Sequence, residues 1–173
     1  MATRIVLAMH GMPANDFPDD EVVELVRLHR IVEIAVDHVN ADMKKRYREL
    51  DSKVRNWKRT PDNDPFWASS RRLADELRNA TGLEVHVGFN EFCSPTLENA
   101  IDSAASAGAK RVIVVTPMMT PGGEHSEEDI PEAISSAKRR FEGVEFIYAW
   151  PFPIEDVVVF LTDQISKFQH LEI

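Results

Sequence analysis

His10 and His125 are imidazoles in loop-forming contexts, His10-Gly-Met-Pro13 and Pro117-Met-Met-Thr-Pro-Gly-Gly-Glu-His125, and Glu91 follows Phe89-Asn90. Imidazole and carboxylate suit divalent cobalt, iron, nickel or zinc, and an open set of two or three such groups leaves coordination positions free for exchange. Histidine also titrates near neutrality, so the same residues serve as bases. Glu124, beside His125, adds a second carboxylate. No short ligand motif joins these positions, so the fold has to bring them together. The other histidines, His29, His38, His86 and His170, lack this loop context and are expected at the surface or in packing.

The elements that carry these residues are legible as apolar runs. Arg4–Met9, Leu83–Phe89, Arg111–Thr116 and Val144–Tyr148 are short and rich in β-branched or aromatic residues, as strands are. The first and third are almost continuously apolar, as expected of parallel strands covered on both faces; the second and fourth alternate, as edge strands do. Helical patterns separate them, and that alternation predicts an α/β fold with a four-stranded parallel sheet flanked by helices. In such sheets ligands bind at the carboxyl ends of the strands, where His10, Glu91 and the loop ending in His125 all fall.

Local chemistry marks the helix starts. Ser94-Pro95 reads as a hydroxyl cap followed by proline at the first helical position. Asp129 reads as the cap of the helix after the third strand, with Pro131 in its first turn and Glu132 at capping-box spacing, which assigns these three a structural role. The Gly122-Gly123 loop suggests a phosphate site, but Glu124, Glu127, Glu128 and Asp129 crowd it with negative charge that repels an anion.

Residues 19–57 stand apart. Leu28, Val32, Val36, Val39, Met43, Tyr47, Leu50, Val54 and Trp57 recur every three or four residues and predict one helix about 55–60 Å long, too long for a chain of this size to cover. After a turn-rich stretch, Arg59–Pro65, a second helix over 66–80 returns toward the sheet, making a helical hairpin inserted between strands one and two, about residues 19–80. Residues 41–60 hold eight basic side chains against three acidic ones, a surplus that suits either an anionic ligand or a solvated face with pairs such as Glu49 with Lys53.

The whole chain has 173 residues, which predicts one domain spanning 1–173. Its net charge of −9 disfavours nucleic acid as a partner. The apolar segment Ile5–Met9 is too short for a signal peptide or membrane span, and a lone cysteine, Cys93, suits a reducing compartment, so a cytoplasmic protein is expected.

His10-Gly11 after the first strand, Phe89-Asn90-Glu91 with a Pro95 helix start after the second, and Pro117…Gly123-Glu-His125…Asp129-Ile-Pro131 after the third resemble the CbiX-type sirohydrochlorin chelatases. More loosely they resemble the wider ferrochelatase-like class. The resemblance implies a chelatase-like, flavodoxin-like three-layer fold and a lyase that inserts Co²⁺ or Fe²⁺ into a sirohydrochlorin-type tetrapyrrole without ATP, in cobalamin or sirohaem biosynthesis. It implies His10 and His125 as the metal-binding and catalytic pair, Glu91 as the assisting carboxylate, and the divalent metal (Co²⁺, Fe²⁺ or Ni²⁺) as substrate with no organic cofactor. Met12, Met118 and Met119 become candidates to pack on the macrocycle, and the basic hairpin a candidate to steer its carboxylates. The chain departs from the family at Met12-Pro13, where serine and arginine are usual, and so lacks that contact to acidic groups. Short members of the family complete their cleft as homodimers, with the overlong helix the candidate dimer element here. The alternative function is a non-catalytic metal- or tetrapyrrole-binding protein on the same fold.

Overall fold

The computed structural model describes residues 2–34 and 40–168. Strands β1 (Thr3–Met9), β2 (Glu84–Phe89), β3 (Arg111–Val115) and β4 (Glu145–Tyr148) form one all-parallel sheet in the order β2-β1-β3-β4. The two continuously apolar segments are the central strands and the two alternating ones are the edges. β1 shows why: Val6 and Ala8 face one cluster, with Leu97, Ile101 and Ile134, while Ile5, Leu7 and Met9 face another, with Ala74 and Phe89. A strand buried on both faces has no position for a polar side chain.

Helices α4 (Leu97–Ser106) and α5 (Ile130–Arg140) cover the first face, and α3 (Pro65–Thr81) covers the second. Small residues let α4 approach closely: Ala100, Ala104 and Ala105 are buried, and a Cβ on Gly88 of β2 would lie 2.8 Å from the Leu97 Cα. The cap of α4 is Thr96, whose hydroxyl accepts from the Asn99 N–H, and not Ser94; Ser94-Pro95 is a cis peptide just ahead of the helix. α3 starts on Asp64, whose carboxylate accepts from the Trp67 N–H, and stops on left-handed Gly82.

The predicted long helix is two helices, α1 (Asp19–Ile34) and α2 (Ala41–Arg55), so the hairpin is this pair, and α3, its predicted second arm, packs on the sheet instead. Asn40 is extended (φ −82°, ψ 168°) and caps α2 by accepting from the Met43 N–H at 2.8 Å. Glu24 meets Arg46 and Glu21 meets Lys53, each at 2.7 Å, although 22 and 32 residues separate the partners; in one straight helix they would stand about 33 and 48 Å apart. The apolar stripe is real, but its halves face each other. Leu25, Leu28, Leu50 and Val54, with Phe17 and Trp57, form a small core of their own. Val36, Val39 and His38 lie outside the described residues, as does His170.

Leu28, Leu50 and Val54 of the stripe are spent inside the hairpin. A run of exposed apolar residues lies on α6 (Ile154–Ser166), where no residue is buried and Ile154, Val158, Leu161 and Ile165 are 48–66% exposed. Among the described residues no helix is long and apolar enough to cross a membrane.

Candidate metal centre

The strand register places two of the three candidate ligands. Met9 pairs with Phe89, so the chain leaves β1 and β2 side by side. Asn90 N–H donates to the Met9 carbonyl and Glu91 N–H to the His10 carbonyl, both at 2.9 Å. Gly11 makes this approach possible. It sits at φ +108°, and a Cβ there would fall 1.9 Å from the Glu91 carbonyl oxygen. Gly11→Ala is therefore expected to force the two loops apart, costing at least 1–3 kcal/mol in backbone strain alone and displacing His10 from Glu91; a lowered urea midpoint together with weakened Co²⁺ binding would show it.

His125 reaches the same point by a longer route, across the loop after β3. It opens a single π-helical turn, His125–Asp129, that runs straight into α5, with the Ile130 N–H donating to the His125 carbonyl. Such turns recur at functional sites. Buried Ser126 anchors the turn by donating to the Gly123 carbonyl, and the Tyr148 hydroxyl at the end of β4 donates to the Ser126 carbonyl at 3.0 Å. Burial pushes the Tyr148 hydroxyl up to about 12, so it remains a donor throughout the physiological range.

Ligand atoms of His10, Glu91 and His125 lie within 4.8 Å of one another, and the two imidazoles meet edge to face at 4.6 Å. Glu91 sits between them: Oε2 is 3.8 Å from His10 Nδ1 and Oε1 is 3.8 Å from His125 Nε2. At metal bonds of about 2.1 Å in a tetrahedral site, ligand atoms stand about 3.4 Å apart, so closing on an ion takes small side-chain movements. Both histidines are pre-set. His10 Nδ1 donates to the Gly11 carbonyl at 2.7 Å, and His125 Nδ1 donates to the Asp129 carboxylate at 2.5 Å. A carbonyl and a carboxylate accept only, so in each neutral ring the lone pair is left on Nε2; in His125 that atom already faces Glu91, whereas in His10 it is Nδ1 that faces Glu91, and the ring turns to offer Nε2 to a metal. Asp129 is thus not the capping side chain its spacing suggested. It makes no cap hydrogen bond and has helical backbone angles (φ −64°, ψ −48°), because its carboxylate is engaged by His125.

His29, expected at the surface or in packing, belongs to this site as well: its Nε2 is 3.5 Å from Glu91 Oε1. The signal for it was hidden, since nothing local separates a histidine facing a cleft from one on a solvated helix face. His86, by contrast, lies mid-strand, half-buried, with its pKa lowered mainly by desolvation, away from the cleft. The carboxyl of Glu91 is held below the usual range, first by the His29 hydrogen bond and then, against desolvation, by the charges of His125 and His10. A depressed folded-state pKa contributes stability above the unfolded value near 4.5, and that contribution is lost as pH falls through the folded value. Glu91→Gln is accordingly expected to flatten the acid limb of the stability–pH curve below about pH 4.5, read by urea unfolding across pH 3–7.

An open cleft of about 380 Å³ surrounds the cluster. The sheet edge and α5 supply Glu124, Asp129 and Glu132, and the hairpin supplies the facing wall through Leu25, His29, Tyr47, Asp51 and Arg55. One chain therefore furnishes two walls where the sequence reading expected half a cleft. The surplus of basic residues in the hairpin is largely consumed internally. Arg46, Lys53 and Arg59 bind Glu24, Glu21 and Asp64, while Arg55 binds Asp51 and the carbonyls of Asn90 and Cys93. Glu49 faces Lys45, not Lys53. The three methionines do not line the cleft; Met118 packs against the core. The Gly122 N–H is taken by the Glu127 carboxylate at 2.7 Å, which occupies the turn that a phosphate would need.

Sheet order and cluster together define an open α/β protein whose candidate metal centre lies where the chain order reverses, between β1 and β3. Within that class the chain belongs to the CbiX family, whose model matches residues 65–166, more than half of the sequence. Glu91, His125 and Asp129 lie inside the match, while β1 with His10 and the hairpin with His29 precede it. A sirohydrochlorin cobaltochelatase from Methanococcus maripaludis is 31% identical over 100 residues, covering 43% of this chain and 69% of the relative. A sirohydrochlorin ferrochelatase from Priestia megaterium is 33% identical over 82 residues, covering 47% of this chain and 30% of the relative. The chain spans less than half the length of the first curated relatives it matches. Among solved structures, a cobalamin (vitamin B12) biosynthesis CbiX protein from Marinobacter aquaeolei VT8 shares the fold, with a TM-score of 0.51 at 14% identity over 95% of this chain and 98% of that one.

Proposed function

We propose that this chain, acting as one domain over residues 1–173, inserts a divalent metal, Co²⁺ or Fe²⁺, into a sirohydrochlorin-type tetrapyrrole without ATP. The observation that carries this reading is the convergence of His10, Glu91 and His125 at an open cleft; the names of the relatives support it. Metal insertion requires an ion stripped of water, held over the ring, and two pyrrole N–H protons removed. Nε2 of His10 and His125 present the metal as exchangeable ligands and then accept protons, since neutral imidazole does both near pH 7. Glu91, ionised between them, offsets the metal's charge, and Glu124, Asp129 and Glu132 at the cleft lead protons to solvent. These carboxylates also attract a divalent cation to the cleft.

The test is spectrophotometric: sirohydrochlorin with Co²⁺, Fe²⁺ or Ni²⁺, following the tetrapyrrole bands with and without protein. Acceleration is expected. Unaccelerated bands for all three metals, with Co²⁺ still bound by the protein, would replace this reading by that of a non-catalytic binder.

A cytoplasmic homodimer completes the proposal. The exposed residues Ile154, Val158, Leu161 and Ile165 repeat at four, three and four positions, the spacing of a two-helix seam, and Ile147 of β4 is left 37% exposed. A second copy covers both through a two-fold axis. Light scattering is expected to give twice 19.6 kDa, and Leu161→Glu to return it to the monomer mass.

A further inference from the structure

Among the described residues, His29 of α1, backed by Tyr47 of α2, brings the hairpin to the carboxylate of the candidate metal centre. Nδ1 of His29 is 3.0 Å from the Tyr47 hydroxyl and Nε2 is 3.5 Å from Glu91 Oε1, while the two rings stack at 5.7 Å and 24°. A carboxylate only accepts, so Nε2 of His29 carries the proton toward Glu91, and Nδ1 of the neutral ring accepts from the Tyr47 hydroxyl. The result is a directed chain from Tyr47 through His29 to the oxygen of Glu91 that also faces His125. His29 itself is not in the group whose donor atoms lie within 4.8 Å of one another. A histidine whose task was packing would turn into the hairpin core of Leu28, Leu50 and Val54; His29 turns into the cleft.

We infer that His29 is a positioning residue that orients the Glu91 carboxylate for the metal, with Tyr47 holding its ring through Nδ1, so that the inserted hairpin tunes the metal affinity of a site whose ligands come from the sheet edge. The inference rests on the metal reading above. It extends to the hairpin the rule that a partner of a metal ligand fixes that ligand's geometry and is worth about 10–100-fold in affinity.

The experiment is Co²⁺ titration of the full chain, followed by visible d–d absorption and calorimetry, with thermal melts confirming that each variant is folded. His10→Ala is expected to lose binding. His29→Ala should weaken it about 10–100-fold and alter the d–d bands. His29→Gln, whose amide N–H reaches the same place, should recover most of the affinity, and Tyr47→Phe should lose less than tenfold. If His10→Ala loses Co²⁺ while His29→Ala binds as tightly as the parent, the positioning role is overturned and the metal centre stands. If His29→Ala and His29→Gln are equally weak, the hydrogen bond is not the cause and the role is likewise overturned. If His10→Ala binds Co²⁺ like the parent, the metal reading falls, and this inference with it.

Discussion

His125→Ala is expected to slow metal insertion by about 100- to 10,000-fold, the usual contribution of a positioned acid–base group, and to weaken Co²⁺ binding with it. That corresponds to roughly 3–5 kcal/mol of transition-state stabilisation. The informative companion is Asp129→Asn. Asparagine caps helices as well as aspartate does, so if Asp129 served only to start α5 the variant would be silent. The carboxylate, however, accepts from His125 Nδ1 at 2.5 Å and keeps the lone pair on Nε2. The substituted amide offers a weaker, neutral acceptor, or an N–H donor that favours the other tautomer. A loss of about 10–100-fold is expected, with little change in the urea midpoint. An Asp129→Asn protein with parental insertion rate and Co²⁺ affinity would return this residue to the structural role its spacing suggested.

Arg59→Ala is expected to destabilise the fold by about 3–5 kcal/mol, the cost of leaving a buried charge without its partner. Arg59 and Asp64 form an ion pair with side chains only 5% and 2% exposed. The guanidinium also donates to the carbonyls of Met12, Val54 and Phe92, and thereby ties the loop after β1, the end of α2 and the Glu91 loop to one point. Asp64 in turn caps α3. Phe92, held here in the left-handed region at φ +54°, packs its ring on the hairpin core. Losing Arg59 frees all of these at once, so the hairpin should loosen as the stability falls. Arg59→Lys keeps the charge but not the fork of donors and is expected to recover part of the loss. Urea unfolding gives the stability, and hydrogen exchange at residues 90–93 tests whether the loop opens with it. A midpoint within error of the parent for Arg59→Ala would show that the pair contributes nothing net.

Much of the fold was legible because burial leaves a periodic trace. The four strands and their central or edge status followed from apolar runs, since β1 is buried and apolar from Ile5 to Met9 and β4, with Glu145 and Ile147 outward, need not be. The hairpin was only half legible. One long helix and two antiparallel helices produce the same stripe, and the difference rests on Asn40, whose capping bond exists only once the chain has turned. Ser94 was read as the cap before Pro95, but the capping hydroxyl is that of Thr96, one residue beyond the proline.

Residue type and sheet logic by themselves brought His10, His125, Glu91 and Glu124 to the carboxyl ends of parallel strands, and the family resemblance singled out His10, Glu91 and His125 among them. Tertiary structure alone decided which partners complete the trio. Asp129 could not be told from a cap, nor His29 from a surface histidine, because a side chain's role depends on what stands opposite it, and helix packing sets that across many residues of sequence. The same packing tied much of a basic segment, read as either an anion-attracting surface or a solvated face with ion pairs, into ion pairs within the chain, and gave one chain both walls of its cleft.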